Sequence, residues 1–178
     1  MNEEKKIRLA GITPESVVDG NGIRYVIWAQ GCNHRCHGCH SPQTWDFDGG
    51  QLRDMDDILS EIRRDGLLKG VTFSGGDPLE QAEKFAYMAK KVRECGLDVW
   101  CYTGYTFEFI LENMDRRKGW KDLLENVDVL VDGRFEPDKK DLRLAFKGSK
   151  NQRIIDLPRS MQSSEVVLLD LEKEKNNI

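Results

Sequence analysis

Four times in its first 133 residues the chain runs a short apolar stretch directly into a turn that carries glycine. RYVIWA at 24–29 meets Gln30-Gly31, and VTF at 71–73 meets Ser74-Gly75-Gly76-Asp77-Pro78. The stretch at 97–102 meets Thr103-Gly104-Tyr105, and VDVLV at 127–131 meets Asp132-Gly133. Helical spacing fills the gaps. Met55, Ile58, Leu59 and Ile62 share one face, with Asp54 placed to cap the start and Gly66 to close the end. Ala82, Phe85, Ala86, Ala89 and Val92 form a second face that Gly96 stops, and Phe107, Ile110, Leu111 and Met114 form a third. Alternating strand and helix predict an α/β fold with a mainly parallel sheet. Right-handed crossovers then bring all four turns to one rim, where open α/β sheets and barrels keep their sites. Roughly four strands before residue 132 are too few for an eightfold barrel, so the expected architecture is a partial, open parallel (β/α) barrel.

The first of these turns carries the chemistry. Cys32-Asn33-His34-Arg35-Cys36-His37-Gly38-Cys39 packs three thiols into eight residues. Three thiolates can hold three irons of a 4Fe–4S cubane and leave the fourth iron open, whereas electron-transfer clusters take four cysteines. Zinc is the alternative, with one of His34, His37 or His40 completing a tetrahedron. The other two thiols, Cys95 and Cys101, sit at a helix end and in a strand, and read as small buried apolar residues. In the second turn, paired glycines let a ligand approach the backbone closely, and the Asp77 carboxylate could receive an ammonium group. Alone, that sequence also reads as a simple turn.

The 178 residues suit a single domain, expected over 1–170, with a flexible polar tail over 171–178. Against 27 basic residues stand 31 acidic ones, for a net charge of −4, which argues against general nucleic-acid binding. No stretch has the apolar length of a membrane span, and MNEEKKIRL lacks a signal peptide's apolar region. The expected location is the cytoplasm, where reducing conditions favour clustered cysteines as metal ligands over disulfides.

Taken together, CxxxCxxC after one strand and Gly-Gly-Asp after the next resemble the radical S-adenosylmethionine enzymes. Asp19-Gly20-Asn21-Gly22-Ile23-Arg24 and Gln30-Gly31-Cys32 resemble the signature of glycyl-radical-enzyme activases. SGGDPL at 74–79, WCYTGYT at 100–106, VDVLVDGRF at 127–135 and KGSKNQRIID at 147–156 narrow the likeness to the activating proteins of anaerobic (class III) ribonucleoside-triphosphate reductase. The resemblance runs from about residue 7 to residue 157. The chain departs from it in having Asn21 where a proline is common, Trp28 for Phe, Ser41 for Asn, and His37 at a position often aromatic. None of these removes a group the chemistry needs.

The resemblance implies a specific division of labour. Cys32, Cys36 and Cys39 ligate the cluster, and the open iron is chelated by the methionine part of S-adenosylmethionine. Gly75, Gly76 and Asp77 bind the ammonium end, and backbone around Gly38, Cys39 and His40 contacts the nucleoside. An electron from a flavodoxin drives reductive cleavage, and the 5′-deoxyadenosyl radical takes hydrogen from a glycine of the reductase. Asn151, Gln152 and Arg153 could touch that partner, although a polar cluster opening a strand also reads as a solvated edge. Asp19 could hold a monovalent cation or simply form a turn. Tyr102 and Tyr105 could line the site or merely pack. Two other readings remain open: an activase for a different glycyl-radical enzyme, and a non-catalytic zinc-binding module.

Overall fold

In the computed structural model, which describes residues 3–175, seven strands form one sheet. They are β1 (Lys6–Ser16), β2 (Arg24–Ala29), β3 (Gln51–Asp54), β4 (Gly70–Gly75), β5 (Asp98–Tyr102), β6 (Val129–Asp132) and β7 (Arg153–Asp156). The helices are α1 (Met55–Arg64), α2 (Ala82–Glu94), α3 (Phe107–Asn113), α4 (Trp120–Leu124), α5 (Leu157–Ser163) and α6 (Leu171–Lys175). The spatial order is β3-β1-β2-β4-β5-β6-β7. The four strands expected from the sequence, β2, β4, β5 and β6, lie side by side and parallel. Antiparallel strands flank them, β1 and β3 on one side and β7 on the other. The sheet is therefore mixed, with a parallel centre. The tail expected from residue 171 includes a short helix over Leu171–Lys175, and 176–178 lie outside the described residues.

β1 carries Gly11 and Pro14, which weaken a strand pattern, and register shifts mark it on either side of the segment from Gly11 to Thr13. β3 is polar and half exposed, so no apolar alternation announces it. Both are held by pairing to neighbours rather than by local preference.

Alternation along each strand divides the sheet into two faces. Tyr25, Ile27, Val71, Phe73, Val99, Cys101, Leu130 and Ile155 point into the main core beneath the helices. Met55, Ile58, Leu59 and Ile62 of α1 meet them there, each at most 4% exposed. Burying each such side chain contributes about 1.5–3 kcal/mol. Asp54 caps α1 by accepting from the Asp56 and Asp57 amides, as expected, but the helix closes on Asp65 rather than Gly66. Cys101 lies in this core as anticipated. Cys95, expected to be buried, caps the end of α2 in the open, because the residue after a helix's last turn need not face the sheet.

On the other face, Trp100, Val129, Val131 and Ile154 form a smaller cluster with Tyr102, Phe146, Leu169 and Leu171. The C-terminal stretch reaches it by running along β7. The Asp156 amide donates to Val167 O, and the Leu169 amide to Ile154 O, which covers an otherwise open edge.

Arg24 closes the lower end of this second face. Its guanidinium is fully buried and donates to Thr72 Oγ1, Val71 O and Asn21 O, with Asp98 Oδ1 at 2.6 Å and the Trp100 ring beneath it. The turn from Asp19 to Gly22 is pinned against it, with Thr72 Oγ1 donating to Asp19 O. A side chain at Gly20 would strike Arg24 and Trp100. The Asp19-Gly20-Asn21-Gly22 motif thus forms a floor.

Candidate functional site

Above that floor lies a cavity of 370 Å³, walled by residues from every one of the four turns. Cys32, Cys36, Cys39 and His40 come from the loop after β2, Gly75 and Gly76 from the end of β4, and Thr103 and Gly104 from the end of β5. Gly133, Arg134 and Phe135 follow β6. Trp28, Ser74 and Tyr102 project into the cavity from the sheet, and Asp19 borders it from below. The convergence expected from right-handed crossovers is what the chain builds.

The cysteine loop is tied down through its backbone. The Gly31 amide donates to Thr44 O and the Cys32 amide to Trp45 O, while Gln30 Nε2 donates to the carbonyls of Gln43 and Asp46. The Ser41 amide donates to Cys39 Sγ at 3.4 Å. Burial pushes the Cys32 thiol up to about 11, partly offset by amides of His34 and Arg35 that face the sulfur. Burial also raises Cys36, against the pull of an amide at Phe135 and the charge of Arg134. A cation bound directly to the sulfurs is what overcomes such desolvation. Cys101, deep in the core, is raised well above the ordinary thiol range by burial, as suits an inert side chain.

The glycine pair is sterically required. Gly75 has φ +98°, and a Cβ there would sit 2.5 Å from the Ala29 amide nitrogen. At Gly76 a Cβ would fall against the carbonyl oxygen of Gly31. The two turns are stitched together, Gly76 N donating to Ala29 O and Asp77 N to Gly31 O. Bare backbone therefore faces the cavity beside the cysteines.

Asp77 does not face it. Its carboxylate is fully buried and accepts from the Leu79 amide, Thr103 Oγ1, the Gly104 amide and His34 Nε2. The sequence assigned it an ammonium group, but both oxygens are already taken by the chain's own donors. His34, a candidate zinc ligand by sequence, borders the same cavity, but its Nε2 is spent on Asp77. His37 is exposed, and His40 packs on the Phe135 ring at 4.8 Å. Among the described residues no three His, Cys, Asp or Glu side chains form a group that could hold a single metal ion. Gly38 stands at φ +72° with Pro137 against it.

The remaining candidates divide between lining and bracing. Tyr102 lines the cavity and donates to Phe146 O at 2.6 Å, whereas Tyr105 donates to Glu80 Oε1 and packs on Trp120. Gln152 accepts from the Gly148 and Ser149 amides and donates to Gly133 O, and Asn151 donates to Arg134 O. Arg153 spans Asp132 and Glu108. Their polar groups fasten the rim loop of residues 133–152 to the end of β6. No local pattern announces these partners, since they lie across a turn, on the neighbouring strand β6 or, for Glu108, on α3.

Comparison with known proteins shows the family. A family model described as "4Fe-4S single cluster domain" matches residues 18–155. A Haemophilus influenzae protein named anaerobic ribonucleoside-triphosphate reductase-activating protein is 36% identical over 149 residues, covering 79% of this chain and 92% of its own. Proteins of the same name from enterobacteria phage T4 and Escherichia coli K12 are 34% and 33% identical. They cover 80% and 78% of this chain, and 90% and 92% of their own lengths.

Proposed function

Because the chain belongs to the 4Fe–4S single-cluster family and, within it, to the anaerobic ribonucleoside-triphosphate reductase-activating proteins, we propose that it activates that reductase by radical chemistry, reductive cleavage of S-adenosylmethionine at a 4Fe–4S cluster yielding a 5′-deoxyadenosyl radical that takes a hydrogen atom from a glycine of the reductase. The observation that carries this reading is the meeting of three cysteines and two bare glycines from separate turns around one cavity.

Cys32, Cys36 and Cys39 hold the cluster. Their loop offers the sulfurs backbone amides, which stabilise thiolate charge. Gly75 and Gly76 present main chain to the amino end of the methionine, and Asp77 serves that contact by fixing the turn from behind. Backbone around Gly38, Cys39 and His40 meets the nucleoside, with Phe135 packed on His40 as a wall. Trp28 and Tyr102 give the cavity an apolar lining that limits water beside a reactive radical. The four parallel strands with their concave cavity serve as a partial, open barrel of the radical S-adenosylmethionine type, a single domain over 1–170 whose unclosed side admits a protein loop. Glycine suits as target because no side chain shields its Cα. A flavodoxin supplies the electron, and the cytoplasm is the setting in which exposed thiols remain reduced. Among the described residues no helix is long and apolar enough to cross a membrane.

Anaerobic reconstitution with iron and sulfide, followed by reduction and addition of S-adenosylmethionine and reductase, tests the whole reading. The expected results are a cluster resonance that changes on addition, 5′-deoxyadenosine, and a glycyl radical on the reductase. Deoxyadenosine without a glycyl radical would point to another glycyl-radical enzyme as substrate. Bound zinc with no cleavage would overturn the proposal.

A further inference from the structure

His34 sits in the sequence between two of the three clustered thiols and borders the same cavity, yet its ring is committed elsewhere. Only 4% of the side chain is exposed, and Nε2 donates to Asp77 Oδ2 at 2.7 Å. The donor must be the histidine, since the carboxylate's other contacts are all with donors as well. The ring meets the edge of Tyr105 at 4.3 Å between centroids. Gly104 packs flat against it, and a Cβ there would lie 2.5 Å from the imidazole. On the outer side, Asn33 Nδ2 and Tyr105 Oη both donate to Glu80, which closes a ring of contacts around the histidine.

Three rim turns are therefore joined at one buried point: the cysteine loop through His34, the Gly-Gly-Asp turn through Asp77, and the Thr-Gly-Tyr turn through Thr103, Gly104 and Tyr105. On the functional reading above, the first turn carries the iron and the second receives the amino acid that chelates it. Chelation demands a fixed spacing between the two. Backbone bonds to Trp45 and Asp77 hold the loop as far as Cys32, but beyond it Arg35 stands at φ +47°, and Asn33 and Arg35, the neighbours of His34, are exposed. We infer that His34 is a positioning residue, a buried latch that holds the cluster loop at the distance from Gly75-Gly76 at which S-adenosylmethionine can bridge them.

His34→Leu removes the donor while roughly filling the space, and His34→Gln keeps an N–H that can reach Asp77. The purified, reconstituted proteins would be compared by iron content and by titrating S-adenosylmethionine against the electron paramagnetic resonance of the reduced cluster. The expected result is near wild-type iron in both variants. The S-adenosylmethionine midpoint should be raised roughly tenfold in His34→Leu, the scale of loss when a residue supporting metal ligands is removed, and substantially restored in His34→Gln. Should His34→Leu fail to fold or take up iron, Gly104→Ala drives a methyl into the ring and is expected to give the same shift. An unchanged midpoint in His34→Leu, or in Gly104→Ala if that variant is needed, would overturn the inference, as would equal failure of His34→Leu and His34→Gln. A wild-type protein that shows no cluster response at all would instead remove the functional reading on which the inference rests.

Discussion

Arg153 and Asp132 face each other as the paired terminal residues of β7 and β6, and Arg153 Nε donates to Asp132 Oδ1 at 3.0 Å. Asp132 is buried and also accepts from the Phe107 amide, so the start of α3 and the last rung of the sheet share one carboxylate. Arg153 extends the pairing to Glu108, its two terminal nitrogens meeting the two carboxylate oxygens at 2.9 and 2.7 Å.

This arrangement predicts an acid-sensitive rim. The hydrogen bond from Arg153 holds the Glu108 carboxyl at about 2, below its ordinary 4.5. A depressed carboxyl stabilises the fold fully above its unfolded value, and that contribution fades as pH falls from about 4.5 toward 2. Glu108→Gln should therefore lower the denaturant midpoint slightly at neutral pH and flatten its decline over that acid range. The effect should be small because Glu108 is mostly exposed. A decline as steep as that of the parent would refute it.

Replacing Cys32, Cys36 or Cys39 singly with alanine should abolish cluster binding, measured as iron and acid-labile sulfide per chain. Cys95→Ser should leave both unchanged, since that thiol is exposed at the far end of α2. Cys101→Ser should keep the cluster while costing about 1–3 kcal/mol of stability, the penalty of a hydroxyl in a sealed apolar core. Loss of the cluster on changing either outer cysteine would end the case for three ligands.

Gly76→Ala places a methyl against the carbonyl of Gly31, the residue before Cys32. The clash is with main chain and has no side-chain escape. The expected outcome is reduced iron uptake as well as weakened binding of S-adenosylmethionine, because one shift moves both turns. Normal iron with only weaker binding would show the turns to be independent.

Arg24→Met should destabilise the fold by about 3 kcal/mol in urea unfolding, since it strips Asp98 of its partner and removes the hydrogen bonds to Thr72 Oγ1 and to the carbonyls of Val71 and Asn21. Arg24→Lys should recover little of that, as a single ammonium cannot replace a fork that meets several acceptors at once. Full recovery by lysine would mean that charge alone matters there.

Much of the architecture was legible beforehand because it rests on local pattern. Apolar runs ending in glycine turns located β2, β4, β5 and β6, and spacing on one face located α1, α2 and α3. β1 and β3 escaped because their strand character comes from pairing with neighbours. Of the site, the residue types were legible and some of their orientations were not. Asp77 reads as a carboxylate free to receive a ligand until Thr103 and Gly104, 26 and 27 residues away, are seen to occupy it.

By itself, the sequence determined the three-thiol spacing, the order of strands that carries four turns to one rim, and the family. Spacing, periodicity and motif order are properties of the chain read along its length. Only the tertiary structure decided that His34 bonds to Asp77, that Asp77 stands behind the cavity wall, and that Asn151, Gln152 and Arg153 brace the rim. A buried polar group is defined by the partners that replace its water, and the fold alone chooses which donors and acceptors meet across dozens of residues.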